Sequence, residues 1–507
     1  MGTSCGFMAA PHEPVSLAQS LHFWARNASN ESALFQTALR VGLFDALTVE
    51  GRGEPLPVET LAERLGCSAR GLRSLLELLV CLDFVRMDDT RRFSLAPHTA
   101  TLLGDSAFRQ QLQAELPWWG PMGLLADAVK SGEPVDFEGQ RWDVLSHLRE
   151  RLVAPTPFAT PAHEDFFDRF TRSGLRTQVL LAAGQSGLLA ALAEDVRTEQ
   201  ALGESTSTRA PGVLLEALAV LGMTRRQEDG WALTPEAKTL LEGKALAYLV
   251  RSLSVSARYW EALGRLDETV RHERYVLDLK DPEVSGRFYA DNSQQITAVF
   301  ATHFQLSRRA AATLAGVRPL EGAAVLDIGT GSGVWGAAFA RTSSSTHVTY
   351  FDQAIVLEQV RRNVAKLEVA DRARFWPGNL FTQDFGAADF DVIILPQVLN
   401  VLSPKDVPDI FARVARALRP DGILVIAEYV LNERRDGPLD HLYFGFRRFM
   451  TNEGDLLSAS EYAKLLADVG LTTSVCIPLP TQELVFAARD GVALPTALAP
   501  PPRPPSV

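Results

Sequence analysis

The sequence predicts an α/β protein: a doubly wound parallel sheet in the C-terminal part, preceded by mainly α-helical modules. Three observations carry this. A buried apolar strand runs into a glycine turn in VLDIGTGSGVWG, residues 325–336. Strand patterns then alternate with helix patterns almost to the end of the chain, the order expected of βα units in a parallel sheet. Ahead of them the chain reads as helices, with leucines recurring at three- and four-residue spacings.

At 507 residues the chain is too long for one ordinary domain. With 46% hydrophobic and 22% charged residues it has the composition of a soluble globular protein with ample core. A net charge of −11 speaks against a nucleic-acid backbone or an anionic membrane as the main partner, which leaves small molecules and other proteins. Cys5, Cys67, Cys81 and Cys476 share no metal-ligand spacing, so free thiols in a reducing compartment and no metal site are expected. The start lacks a basic region followed by a long apolar run, and no apolar stretch reaches the ~18 residues of a membrane span. A cytoplasmic protein is expected. Residues 1–16 and the proline-rich end 493–507 read as disordered.

The N-terminal half repeats itself. ALRVGLFDAL and LLAAGQSGLLAAL match at Gly42-Leu43 and Gly187-Leu188. Further on, Leu75-Leu76 matches Leu214-Leu215, and the ends FSLAP and WALTP match at Phe93 and Trp231. Each copy continues into an aromatic helix start, Trp118-Trp119 and Tyr259-Trp260. Helix, short helix, helix and a two-stranded wing is the pattern of a winged helix. A helix that reads a DNA groove needs several polar side chains on its exposed face. The helix over residues 68–82 offers only Arg70 and Arg73, countered by Glu77, and its counterpart after Arg209 is almost wholly apolar. Packing and dimerisation modules are therefore predicted, over residues 17–165 and 166–315, with the sheet domain over 316–492.

In the sheet domain, Gly329, Gly331 and Gly333 follow the strand that contains Asp327. Glycines allow positive φ and close backbone approach to a ligand, and such a turn lies at the carboxyl end of the first strand, where ligands collect. The run is not G-x-G-x-x-G, and no Lys-Ser/Thr follows, so neither a dinucleotide turn nor a P-loop is indicated. A second strand, THVTYFD, ends in Asp352, an acid able to accept both ribose hydroxyls. A third, RARFWPGNLF, ends in Gly378-Asn379-Leu380-Phe381, a polar group with apolar cover suited to adenine. In the fourth unit, FDVIILPQVL, Ser403-Pro404 looks like a helix N-cap and first position. The helix PKDVPDIFARVARALRP and the strand GILVIAEYVL complete the series.

From about Val325 to Arg489 the chain resembles a class I S-adenosylmethionine-dependent methyltransferase. It is most similar to the small-molecule O-methyltransferases that carry an N-terminal winged-helix dimerisation domain. LDIGTGSG, the acid ending the second strand, GNLF and ALRPDGILVIAE together carry the resemblance, which extends through the second repeat from about residue 170. It implies a Rossmann-like sheet of seven strands whose last hairpin, TTSVCIPL and ELVFAAR, is reversed. It also implies a homodimer joined through the N-terminal modules, with the first module an extra copy. By the same resemblance Asp327, Gly329, Gly331 and Gly333 approach the methionyl end of S-adenosylmethionine. Asp352 takes the ribose with Gln353 beside it, Gly378, Asn379, Leu380 and Phe381 meet the adenine, and Pro396 closes the fourth strand nearby.

The family's proton acceptor is usually a histidine just after the fourth strand, where this chain has Asn400. An asparagine can hydrogen-bond but takes no proton near neutral pH. Leu456 stands near the place of a second acid, and the acid ending the fifth strand remains as Glu428. His303 and His441 lie in segments that line the substrate pocket in relatives, so Asn400, Glu428, His303 and His441 are the catalytic candidates. The aromatics Tyr289, Phe300, Phe304, Tyr443 and Phe444 would wall a flat substrate or belong to the core. The function expected is methylation of a small molecule, at oxygen before carbon or nitrogen, in specialised metabolism. The alternatives are a methyltransferase fold that uses its cofactor for another reaction, or a winged-helix regulator that senses the cofactor.

Overall fold

A computed structural model of the chain describes residues 16–48, 54–243, 245–278, 284 and 300–500. It divides into two compact units, Met1–Leu277 and Asp278–Val507. The borders expected at 165/166 and 315/316 are not where the units part. Both helical modules fall in the first unit. The helix Phe300–Ala315 belongs to the second, because Leu306, Ala310, Ala311 and Leu314, at helical spacing, bury against its sheet.

In the first unit Ser16 opens the helix Leu17–Arg26 through a capping box with Gln19. The next helix, Ala28–Arg40, is buried almost all round. The helices Val58–Leu65 and Ala69–Cys81 lead into a hairpin of Val85–Met87 with Arg92–Leu95, to which Leu56–Pro57 adds a third strand. The same order recurs in Glu199–Thr206, Pro211–Val220 and the hairpin Thr224–Gln227 with Gly230–Leu233. Leu72, Leu75, Leu76 and Leu79 are fully buried, as are Leu214, Leu215 and Leu218. Trp119 opens a short helix, Trp119–Met122, as predicted. Tyr259 and Trp260 instead lie near the end of Ala245–Gly264, because the apolar run ALAYLV starts that helix upstream.

The second unit holds strands β1 (Ala324–Ile328), β2 (His347–Asp352), β3 (Ala373–Pro377), β4 (Phe390–Pro396), β5 (Leu418–Glu428), β6 (Thr473–Pro478) and β7 (Glu483–Ala488). They form one sheet in the order β3-β2-β1-β4-β5-β7-β6. The first five are parallel and β7 runs antiparallel to both neighbours, the reversed hairpin of the expectation. Helices α1 (Phe300–Ala315), α2 (Val334–Ala340) and α3 (Ala354–Lys366) precede α4 (Val407–Ala417), α5 (Leu439–Thr451) and α6 (Ala459–Asp468). Strand alternation sends Val325 into the layer with Leu306, Val334 and Val360, and Leu326 into the layer with Ile410, Val414 and Leu466. All seven residues of β4 are buried, as befits a central strand covered on both faces. The strand order reverses direction between β1 and β4, and such a switch point opens a crevice at the strands' carboxyl ends.

Two local expectations fail. The helix after β4 starts at Val407, not at Ser403-Pro404. Ser403 closes a turn by accepting from the Asp406 N–H at 2.8 Å, and Pro408 presets the first helical turn beside the apolar stripe Val407, Ile410, Phe411 and Val414. The C-terminal segment is packed as far as it is described. Leu494 joins the sheet core, the Ala499 N–H donates to Thr313 Oγ1 at 2.9 Å, and Arg309 Nε donates to the Ala499 carbonyl at 3.1 Å. Two leucines among the prolines suffice to dock it. Residues 1–15 and 501–507 lie outside the described residues.

Candidate cofactor site

Gly329, Gly331 and Gly333 take φ of +66°, +54° and +77°, the left-handed region closed to most side chains. Two of them are also crowded. A Cβ at 329 would sit 2.7 Å from Val398 Cγ2, and one at 333 would sit 2.6 Å from Val360 Cγ1. At 331 the nearest atom would be 3.9 Å away, so that backbone stands clear on the crevice side.

Two acids underlie this turn. Asp327 is fully buried in β1; its Oδ2 accepts from Thr330 Oγ1 at 2.8 Å and from the Gly336 N–H at 2.9 Å. Its Oδ1 is buried with no hydrogen-bond partner among the described residues. Burial pushes its pKa up to about 7 against the pull of those donors. Asp352, at the end of β2, accepts from the Gly331 N–H at 3.0 Å through Oδ2 and from the Gln353 N–H at 2.7 Å through Oδ1. Burial raises its pKa as well. Each Asp352 oxygen keeps a lone pair for a hydroxyl.

Beyond β3, a side chain at Gly378 would strike Phe351 Cε2 at 2.5 Å. Asn379 Oδ1 accepts from the Phe381 N–H at 2.9 Å, a self-closed Asx turn that still leaves the oxygen a lone pair. Leu380 is half-buried and Phe381 is 56% exposed, an unusual position for a phenyl ring without a ligand or partner. Pro396 ends β4 and is buried. Sequence reasoning missed Thr330, Gly336 and Val398. The first two sit inside or just after the glycine run and could have been suspected. Val398 arrives from β4 and has no local signal.

Asn400 is 2% exposed, in a single turn after β4. Its Nδ2 donates to Glu428 Oε1 and Oε2 at 3.0 and 2.9 Å. Glu428 also accepts from the Leu399, Asn400 and Tyr429 N–H groups at 3.0, 3.2 and 3.3 Å. Five bonds on a fully buried carboxylate make a structural clasp between the ends of β4 and β5. Burial nonetheless lifts the Glu428 pKa to about 7. His441, on α5, donates from Nδ1 to the Val430 carbonyl at 2.8 Å and lies 3.6 Å from Glu483 Oε2. Glu483 is the register partner of Glu428, so the two clusters sit side by side on β5 and β7.

His303 is half-buried on α1, one helical turn before Ser307, whose Oγ donates to the Val334 carbonyl at 3.2 Å. It therefore shares the face that α1 turns to α2. Burial lowers its pKa, which keeps the imidazole neutral and able to accept a proton. Of the candidate aromatics, Tyr443 is core at 1% exposure, Phe444 stacks on Tyr429 at 3.9 Å, and Phe304 packs on the sheet core. Tyr289 and the Phe300 side chain lie outside the described residues. Among the described residues no group of three His, Cys, Asp or Glu side chains could hold a metal ion, and no helix is long and apolar enough to cross a membrane.

Comparison with known proteins fits this geometry. Residues 282–472 match the O-methyltransferase domain and residues 26–105 the O-methyltransferase dimerisation domain. The chain is a class I S-adenosylmethionine-dependent methyltransferase of the O-methyltransferase family, and S-adenosylmethionine is its cofactor. Its relatives are O-methyltransferases that act on small molecules. It is 25% identical over 331 residues to a mitomycin biosynthesis 6-O-methyltransferase of Streptomyces lavendulae, covering 64% of this chain and 93% of that one. An O-methyltransferase family protein of Burkholderia thailandensis shares the fold at a TM-score of 0.54 and 20% identity, over 65% of this chain and 99% of that one. Human N-acetylserotonin methyltransferase, solved with S-adenosylmethionine, shares it at 0.51 and 18%, over 66% and 99%. The second family match supports dimer formation through such a module. It falls on the first helical module, whereas the resemblance was expected to run through the second.

Proposed function

We propose that this protein transfers the methyl group of S-adenosylmethionine to an acidic oxygen of a small molecule, a phenol, enol or carboxylic acid, in specialised metabolism in the cytoplasm. Asp327, Gly329, Gly331 and Gly333 receive the methionyl end, and Asp352 accepts the ribose hydroxyls beside Gln353. Gly378, Asn379, Leu380 and Phe381 cover the adenine, with Pro396 at the floor. The observation that carries this reading is Asp352, held by two backbone N–H groups at the carboxyl end of β2 with lone pairs to spare. The unpartnered Asp327 Oδ1 and the cleared backbone at Gly331 fit the same ligand.

Bound, the cofactor supplies a methyl group on a cationic sulfur. The chain's part is to hold the nucleophile in line with it. Positioning is worth ~7–11 kcal/mol, against roughly 10²–10⁴-fold for a general base. Asn400 takes no proton, and both Glu428 oxygens are engaged in the clasp, so neither serves as base. A nucleophile that ionises readily needs none. Of the two histidines, His303 is kept neutral by burial, while His441 donates from Nδ1 to a backbone carbonyl and so keeps Nε2 as its proton acceptor.

Calorimetric titration with S-adenosylmethionine and its demethylated product tests the site without a substrate. Micromolar binding, weakened about 10–100-fold in Asp352→Ala, is expected; unchanged affinity in that variant would refute the placement. Methyl transfer to phenols, enols and carboxylic acids is then screened, and transfer to simple alcohols alone would refute the substrate class.

A further inference from the structure

In the first unit the contacts between the two helical modules come in matched pairs. Residues 16–47 align on 161–192 without a gap, which sets Gly42 on Gly187, Ser32 on Thr177 and Trp24 on Arg169. Ser32 Oγ donates to the Arg169 carbonyl at 2.8 Å, and Thr177 Oγ1 donates to the Trp24 carbonyl at 2.7 Å. One bond is made twice with the roles exchanged. Further along, the spacing from Trp119 to Trp260 also separates Gly123 from Gly264 and Val129 from Val270. Trp119 Nε1 donates to the Trp260 carbonyl at 2.9 Å and Trp260 Nε1 to the Trp119 carbonyl at 3.0 Å, with the rings stacked at 4.0 Å.

The exchange continues. A Cβ on Gly123 would lie 2.9 Å from Trp260 Cδ1, and one on Gly264 would lie 2.6 Å from Trp119 Cδ1. The N-cap of Ala69–Cys81, Ser68, donates its N–H to the Val270 carbonyl at 3.0 Å. The N-cap of Pro211–Val220, Ala210, donates its own to the Val129 carbonyl at 3.0 Å. A residue that meets its opposite number's partner, and the reverse, is the mark of a twofold interface between like subunits.

The charges say which module pairs with which. Buried Glu31 accepts from Arg169 Nη1 at 2.6 Å. At the matched contact, Arg176 lies over the Trp24 ring at 6.0 Å. The alignment sets Glu31 on Arg176 and Trp24 on Arg169. The first module paired with a copy of itself would leave Glu31 buried against Trp24 with no cation. The second paired with itself would set Arg176 against Arg169. Only the mixed pair gives Glu31 its cation and keeps the two arginines apart; Arg176 holds Asp168 of its own module through two bonds at 2.6 Å.

We infer that the N-terminal unit is an internal dimer. The second module fills, within one chain, the interface through which two dimerisation modules pair, so the protein works as a single chain with two modules and one catalytic unit. This rests on the repeat and its contacts and not on the assignment of the cofactor site.

The test is the mass of the full chain by light scattering, together with the double variant Ser32→Cys/Gly174→Cys under non-reducing conditions. A Cβ at 174 would lie 3.3 Å from the Ser32 Cβ, close enough to be bridged by a disulfide. The expected results are a one-chain mass of 55.4 kDa at every concentration and a bridge closed within one chain. A two-chain mass, or a bridge that joins two chains, overturns the inference. If the double variant fails to fold, Trp119→Phe and Trp260→Phe ask the same question by equilibrium unfolding. Equal losses that do not vary with protein concentration are expected, and concentration-dependent midpoints overturn it.

Discussion

Asn400 is almost wholly buried and gives both Nδ2 hydrogens to Glu428. Replacing it by Ala removes two of the five bonds to a buried carboxylate, and bonds to charged groups are worth about 1.5–3 kcal/mol each. Asn400→Ala should therefore lower the unfolding free energy by roughly 3–6 kcal/mol in denaturant titration, with cofactor affinity changed little. Asp352→Ala should weaken cofactor binding about 10–100-fold by calorimetry, the worth of one hydroxyl bond to a carboxylate. Asp327 and Glu428 both have pKa values raised to about 7 in the folded protein. The folded state thus holds protons that the unfolded chain has released. The stability these groups contribute is fully present below the unfolded carboxylate range and is lost as pH rises through about 7. The cofactor-free protein should accordingly unfold at lower denaturant at pH 8 than at pH 6. Affinity for the cationic cofactor should run the other way and rise over the same interval. The lack of a histidine at 400 and the two strand-terminal acids were legible in the sequence, because identity and local position decide them. The clasp on Glu428 was not, since it depends on two strands becoming neighbours.

At the scale of elements, the glycine turn is where sequence and structure agree most closely. Left-handed φ at 329 and 333 excludes most side chains, and at 329 the space is occupied by Val398. Gly329→Ala should cost about 1–2 kcal/mol of backbone strain beyond the clash, read as a lower unfolding midpoint and weaker cofactor binding. Adding Val398→Ala should restore part of the binding if the clash contributes. The start of α4 and the fate of the C-terminal segment were misread for the same reason. Proline marks where a helix or a core can begin or end, but the choice among several prolines falls to the nearest apolar stripe. Truncation after residue 492 removes Leu494 and the two bonds at Ala499. It should lower the unfolding midpoint by an amount consistent with about 1.5–3 kcal/mol for one buried leucine. An unchanged midpoint would mean the segment is merely resting on α1.

For the whole molecule, the seven strands and the reversed hairpin were anticipated through the family resemblance, and the parallel strands also show in the sequence as continuous apolar runs. Matched residues such as Gly42 with Gly187 could be read from the sequence as well. The pairing inferred above could not, because it depends on carbonyls, indoles and a buried ion pair meeting across the fold. The stacked Trp119 and Trp260 have a further consequence. Two free subunits that associate give up translational and rotational freedom costing an estimated 4–15 kcal/mol, whereas two tethered ones meet at an effective concentration in the millimolar range. A chain that carries its own counterpart needs no encounter to complete its framework. It can therefore be present at very few copies per cell and still be fully assembled, and each half can drift toward the other's shape without ever having to fit itself.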